Sequence, residues 1–315
     1  MDGSSQKKPR KKARISSRTP VPQKKKIVVA PDLPVHLSMC EFYQTCLAAA
    51  RELEPGILDD RNSEYLHQYR VYLRKMRAIA STLKELKTDV TRHRFIPALK
   101  DLMKHTNQLR DLDVYLLKSN FFYSELDKKY HPGLTQFFDD INFLRIHEYN
   151  RVVKWFSSER YQKKCHNVEQ QILSILNTLH DKNGPENSKK YGNMVIARSY
   201  EKVVNQATLI NKKSKDKEIH RLRINCKNLR YLLEFFTPVL DKTVYQHQVK
   251  ALKSLQHILG EFNDSSVQTK FLTNYLKHIE DHSPAYRAVS QLKQLTENRQ
   301  FLERKQLLEQ LSSKL

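Results

Sequence analysis

The chain has 315 residues, a formal charge of +22, 39% hydrophobic and 29% charged residues, and only 6 glycines and 11 prolines. This composition suits a globular protein of long helices and argues against a β-rich fold, which needs more turns. The charge exceeds what solubility requires and points to a polyanionic partner such as nucleic acid, anionic lipid or a phosphate polymer. Cys40, Cys46, Cys165 and Cys226 have neither metal-ligand spacing nor the density of a disulfide framework, so reduced thiols are expected. No apolar run reaches membrane-spanning length and the N-terminus lacks the apolar core of a secretion signal, which together predict a soluble, intracellular protein.

Residues 1–30 carry ten Lys/Arg against one acid, leaving a formal +13 for the remainder. Lys7-Lys8-Pro9-Arg10-Lys11-Lys12 and Lys24-Lys25-Lys26 stand among Ser, Thr and Pro, so a disordered basic tail is expected there. It reads first as a solvated arm, and after that as an auxiliary contact to a polyanion such as nucleic acid or as a nuclear import signal. Residues 31–315 read as one helical domain. Apolar residues recur at helical spacing, and Pro55, Pro97, Pro132, Pro185, Pro238 and Pro284 fall between the periodic segments. The spacing predicts helices over 36–53, 63–88, 96–118, 133–157, 159–182, 193–212, 216–237, 243–280 and 285–311, and no strands.

Sliding the chain against itself by 153 residues exposes an internal repeat. His67, Arg70, Val71, Arg74 and Arg77 fall on His220, Arg223, Ile224, Lys227 and Arg230, while Lys100, Leu102, Asp111 and Val114 fall on Lys253, Leu255, Asp264 and Val267. A histidine, four cations and a downstream aspartate in one register are hard to produce by chance, even in a Lys-rich chain. The expected architecture is therefore all-α. Two four-helix bundles, over 36–157 and 193–311, are related by a pseudo-two-fold axis, with the helix at 159–182 as connector.

At 100° per residue, His67, Arg70, Arg74 and Arg77 share an arc of about 80° on their helix, and the second set repeats it. Leu73, Met76, Ile79 and Leu83 occupy the opposite side of the first helix, and Leu222, Leu229, Leu232 and Phe236 that of the second. Like charges stacked three and four residues apart repel unless an anion answers them. Arg offers bidentate donors to phosphate oxygens, Lys a mobile charge, and His a donor whose charge grows as pH falls, a mixture suited to phosphate chains. The competing reading is a solvated basic face neutralised within the chain by Asp111 and Asp264.

These residues resemble the conserved histidine α-helical domain, or CHAD, family. The marks are His67-Gln68-Tyr69-Arg70-Val71 with Arg74 and Arg77, then Leu109-Arg110-Asp111-Leu112-Asp113-Val114. They continue in His220-Arg221-Leu222-Arg223-Ile224 with Lys227, Leu229, Arg230 and Tyr231, and end in Leu255-Gln256, Leu259-Gly260 and Asn263-Asp264. The resemblance implies a basic central surface that binds inorganic polyphosphate without catalysis, through His67, Arg70, Arg74, Arg77, His220, Arg223, Lys227 and Arg230, with Lys100 and Lys253 as secondary candidates from the repeat. Some members of the family carry a triphosphate hydrolase domain marked by Glu-x-Glu-x-Lys. Glu52-Leu53-Glu54-Pro55-Gly56 lacks the Lys, so that activity is not carried over.

No cofactor, metal or catalytic residue is expected. His147-Glu148 begins like a zinc-protease helix but has Arg151 where the second His should stand, and no glycine-rich phosphate loop is present. Asp111 and Asp264 are expected to orient arginines, while Arg110 and Asp113, matched by Asn263 and Ser266, break the symmetry. The alternative function is binding of RNA or DNA backbones by the tail and both faces, though base-stacking aromatics are missing from the first stripe. A polyphosphate binder of this kind would sit in the cytoplasm, at polyphosphate granules, or in the nucleus of a eukaryote, and its affinity should fall with salt and rise as pH falls through the histidine range.

Overall fold

The computed structural model describes residues 27–83, 86, 88–180 and 187–314. The tail expected over 1–30 lies outside the described residues as far as residue 26. Its last four residues depart from expectation: Val29 is buried and its N–H donates to the Phe235 carbonyl at 2.7 Å, because Ile27-Val28-Val29-Ala30 is apolar enough to join the core.

The described residues form α1 (Val35–Arg51), α2 (Glu54–Leu58), α3 (Ser63–Thr82), α4 (Ile96–Lys104), α5 (Asn107–Leu117), α6 (Ser119–Glu125), α7 (His131–Phe156), α8 (Glu159–His180), α9 (Ser188–Thr208), α10 (Asp216–Phe236), α11 (Lys242–Leu276) and α12 (Pro284–Lys314), with no strand among them. Start signals act locally. The Asn62 side chain accepts from the Glu64 N–H at 2.9 Å to open α3, and Asn187 accepts from Lys190 at 2.8 Å to open α9. The Glu218 carboxylate accepts from the Lys215 N–H at 2.7 Å at the head of α10.

Several prolines sit inside helices rather than between them. Pro55, Pro132 and Pro284 occupy first turns, where a missing N–H costs nothing. Pro97 stands within a continuous helical run, and the turn before it, Thr91–Phe95, widens to a π-helix. That widening keeps the proline ring clear of the carbonyl it would otherwise strike.

The helix expected over 96–118 is broken between α4 and α5. At the break, Thr106 Oγ1 donates to the Met103 carbonyl at 3.0 Å, and buried Arg70 donates through Nη1 to the same carbonyl at 2.9 Å and to Thr106 Oγ1 at 2.8 Å. Arg70 thus adds a side-chain donor to the Met103 carbonyl at the helix end, which the Thr106 N–H and hydroxyl also reach.

The large core gathers α1, α3, α4, α8, α9 and α10 with the C-terminal parts of α7 and α12 and the middle of α11. A second core lies between α5, α6 and the N-terminal part of α7 on one side and the C-terminal part of α11 with the N-terminal part of α12 on the other. Both cores therefore draw on both sequence halves. The expected connector, α8, packs on α1 and α4 and contributes Tyr161, Val168, Ile172 and Ile175 to the large core. Gly133 on α7 lies so close to α12 that a Cβ would overlap the Pro284 carbonyl oxygen.

The core stripes of the two repeat helices are buried as expected: Leu73, Met76, Ile79, Leu222, Leu232 and Phe236 are all 0% exposed. Each such side chain contributes about 2 kcal/mol by leaving water. All four cysteines are free and buried, and burial pushes the Cys40, Cys46 and Cys226 thiols up to about 12. No described helix is long and apolar enough to cross a membrane.

Candidate functional site

With their apolar stripes committed to the core, α3 and α10 pack against each other, and α5 and α11 flank them. The polar stripes left over open on one cleft of about 630 Å³. His67, Arg70, Arg74 and Arg77 reach it from α3, and His220, Arg223 and Lys227 from α10. Arg110 on α5 and Lys118 just past its end complete a set of seven Lys/Arg, facing two carboxylates, Asp111 and Asp264.

Three residues expected at the site do not line the cleft. Lys100 on α4 and Lys253 on α11 are exposed elsewhere on their helices. Arg230 turns aside, with Nε 3.4 Å from a Glu234 carboxylate oxygen and its guanidinium 5.1 Å from the centre of the Tyr231 ring. A repeat register matches residue types; it does not say which of them face a shared groove.

The cations are crowded and partly dry. Arg70 is 8% exposed, and while Nη1 bonds the α4–α5 break, its buried Nε has no partner. Arg110 Nη1 and Arg223 Nε are likewise buried donors without partners. Each such donor on a charged group costs more than a neutral one would. Burial first, then Arg74, holds Arg70 down to about 10 and holds Arg77 below the usual arginine range. Burial also lowers Arg110 and Arg223. Lys227 is lowered as well: burial, then Arg223, Arg74 and Arg230, bring it down to about 8. Arg74 acts on five of these groups and so sits at the electrostatic centre of the cleft.

Polar neighbours fix the geometry at the edges. His220 Nδ1 lies 2.8 Å from Asn263 Oδ1, an acceptor, so Nδ1 carries the hydrogen. Lys118 Nζ reaches from α5 to Asp264 on α11 at 3.4 Å. Asp113, next but one to Asp111 in sequence, turns away: it is buried against Arg145 Nε at 2.7 Å, and Arg145 also holds Asp60. The two aspartates therefore do not converge on one ion. Glu148 spends its carboxylate on Arg151 at 2.6 Å rather than on any zinc-type arrangement.

Arg110, Lys118 and Asn263 belong to the site without having been singled out for it. The signal was present, since Arg110, Val114 and Lys118 follow at four-residue spacing on one face of α5 and Arg110 lies inside the Leu-Arg-Asp motif. Tyr115, Phe122 and Tyr231 also border the cleft, but at 4%, 0% and 4% exposure they form its floor and present no free ring face.

The sequence profile of the CHAD domain matches residues 41–273. A search of curated proteins found no sequence match. Among solved structures, the CHAD domain from the plant Ricinus communis is similar with a TM-score of 0.70 at 19% identity, over 95% of this chain and 93% of that one. PptA from Streptomyces chartreusis is similar with a TM-score of 0.66 at 12% identity, over 89% of this chain and 100% of that one. At these identities the structural likeness is one of fold, whereas the profile match spans well over half the sequence and contains every residue of the α3 and α10 stripes: the chain belongs to the CHAD domain family.

Proposed function

We propose that the cleft binds inorganic polyphosphate and does not turn it over. The observation that carries this reading is the surplus of crowded, partly desolvated cations, of which Lys227 is held down to about 8 by burial and then by its neighbours. Among the described residues lining the cleft, only Asp111 and Asp264 are acidic, against seven Lys/Arg, and Asp264 already serves Lys118. A phosphate chain supplies negative charge at short, regular intervals and acceptors for the unpartnered Arg70, Arg110 and Arg223 donors. Nucleic acid has less to grip, since the three aromatic residues of the cleft are buried in its floor and cannot stack bases.

The test is calorimetric titration with long-chain polyphosphate of the intact protein and of a variant carrying Arg74→Ala and Arg223→Ala. Arg70 is unsuitable for this purpose because it also holds the α4–α5 break. Two lost charge-assisted contacts at about 1.5 kcal/mol each predict an affinity loss of about 100-fold. A folded variant that binds like the parent would overturn the assignment. Single-stranded RNA at about tenfold excess of phosphate, ample for a competitor of equal affinity, should not displace polyphosphate. Phosphate released by the intact protein above the level of the variant would refute the claim of binding without turnover.

A further inference from the structure

Beside the cleft a second hollow of about 250 Å³ opens along α10 and α11, sharing His220, Asn263 and Val267 with it. Lys217 and Lys270 line this hollow and both are exposed. They prolong the cleft's own lines: Lys217 stands three residues before His220 on α10, and Lys270 seven after Asn263 on α11, spacings that keep side chains on one helix face. From Lys217 to Lys227 the α10 stripe runs about 15 Å at 1.5 Å per residue. The carboxylate in the hollow, Asp216, is already engaged, accepting from Arg304 Nη1 at 3.0 Å, Gln300 Nε2 at 3.0 Å and the Ser266 hydroxyl at 3.4 Å.

The register counterparts of these two lysines in the first half of the chain are not basic. The 153-residue register sets Glu64 against Lys217 and Leu117 against Lys270. Glu64 lies close enough to Arg110 to act on its charge, and Leu117 is 67% exposed. Glu64, three residues before His67 on α3, and Leu117 on α5 offer a phosphate chain an acid and an apolar side chain where the second half of the chain offers two lysines.

We infer that the hollow at Lys217 and Lys270 is a subsite for the part of a phosphate polymer that the cleft cannot hold, so that long chains leave past His220 and not past His67. This rests on the cleft being the polyphosphate site. The subsite confers a preference for long chains, because an oligomer that ends inside the cleft gains nothing from it.

The experiment titrates tripolyphosphate and long-chain polyphosphate, each at two salt concentrations, into four full-length proteins: the parent, the subsite pair Lys217→Ala with Lys270→Ala, the cleft pair Arg74→Ala with Arg223→Ala, and a control pair of exposed lysines, Lys202→Ala with Lys305→Ala. The subsite pair should lose about tenfold in affinity for the long chain, keep tripolyphosphate within about twofold, and show a salt dependence shallower by about 1 to 2 in the logarithmic slope. The inference is overturned if the subsite pair binds the long chain as the control pair does, or loses both ligands equally. Should the cleft pair still bind tripolyphosphate like the parent, the cleft reading itself fails and the subsite with it, an outcome distinct from failure of the subsite alone.

Discussion

Lys227 makes the sharpest prediction, because its charge hangs on what occupies the cleft. In the free protein burial and three arginines bring it down to about 8, against an ordinary value of 10.5. A bound phosphate chain surrounds it with negative charge and pushes it back up, so binding takes up a proton wherever the free lysine has lost one. At pH 8.5, free Lys227 is about one-quarter protonated and a restored one almost fully so, which gives an uptake of about 0.75 proton per site. By linkage, polyphosphate affinity then falls as pH rises from 8 towards 10.5. The limit is about 300-fold if restoration is complete, and the expected fall is nearer tenfold because the cleft is open to solvent and salt.

Titration calorimetry at pH 8.5 in buffers of different ionisation enthalpy reads the proton number directly. Lys227→Arg, which stays charged throughout, should bind well and lose both the proton uptake and the fall in affinity. A parent protein whose affinity is flat from pH 7 to 9.5, or a Lys227→Arg variant that loses affinity as steeply as the parent, would refute the argument. The same group gives the stability of the free protein a defined sign. With its value lowered on folding, the unfolded chain binds more protons between pH 8 and 10.5, so the penalty is fully present below pH 8 and relieved as pH rises through that window.

Replacing Arg74 with Met should weaken polyphosphate binding at least tenfold yet raise the melting temperature of the free protein. Repulsion from five neighbours at a few tenths of a kcal/mol each amounts to about 1 to 2 kcal/mol, or about 2 to 6 °C by differential scanning calorimetry; a lower melting temperature would contradict the crowding described above. Asp264→Asn frees Lys118 and removes one of the two carboxylates facing the ligand, so affinity measured by titration should rise about threefold to tenfold at low salt. Gly133→Ala should cost about 1 to 3 kcal/mol in urea unfolding, because the added methyl meets the Pro284 backbone and α7 and α12 must part to admit it.

Much of the site was legible because one periodicity encodes both halves of the problem. On α3 and α10 the residues that fill the core and those that face the cleft alternate at 3.6-residue spacing, so burying Leu73, Met76 and Ile79 turns Arg70, Arg74 and Arg77 to the other side. What the pattern could not supply was contact between elements. Lys100 and Lys253 matched in register but stand on surfaces of α4 and α11 away from the groove, and Arg110 and Lys118 entered it because α5 lies alongside α3. The α4–α5 break was hidden for a related reason. Nothing local marks it strongly, and it is completed by Arg70, a side chain more than 30 residues away that the sequence offered only as a ligand contact.

That double use of Arg70 bears on how the cleft coexists with a stable fold. Stacked cations destabilise the helices that carry them, and α3 and α10 carry theirs on faces that also meet each other. The chain limits the cost by giving some of the charge internal work: Arg70 closes a helix end, Arg230 pairs with Glu234, and Lys118 reaches Asp264. Arg74 and Lys227 sit among the remaining charge with no acid within four residues of them on their own helices, and the Glu234 carboxylate farther along α10 is taken by Arg230 and Lys75. On the proposed function the cations without internal partners carry the affinity, so ligand binding should recover stability chiefly through Arg74, Arg223 and Lys227.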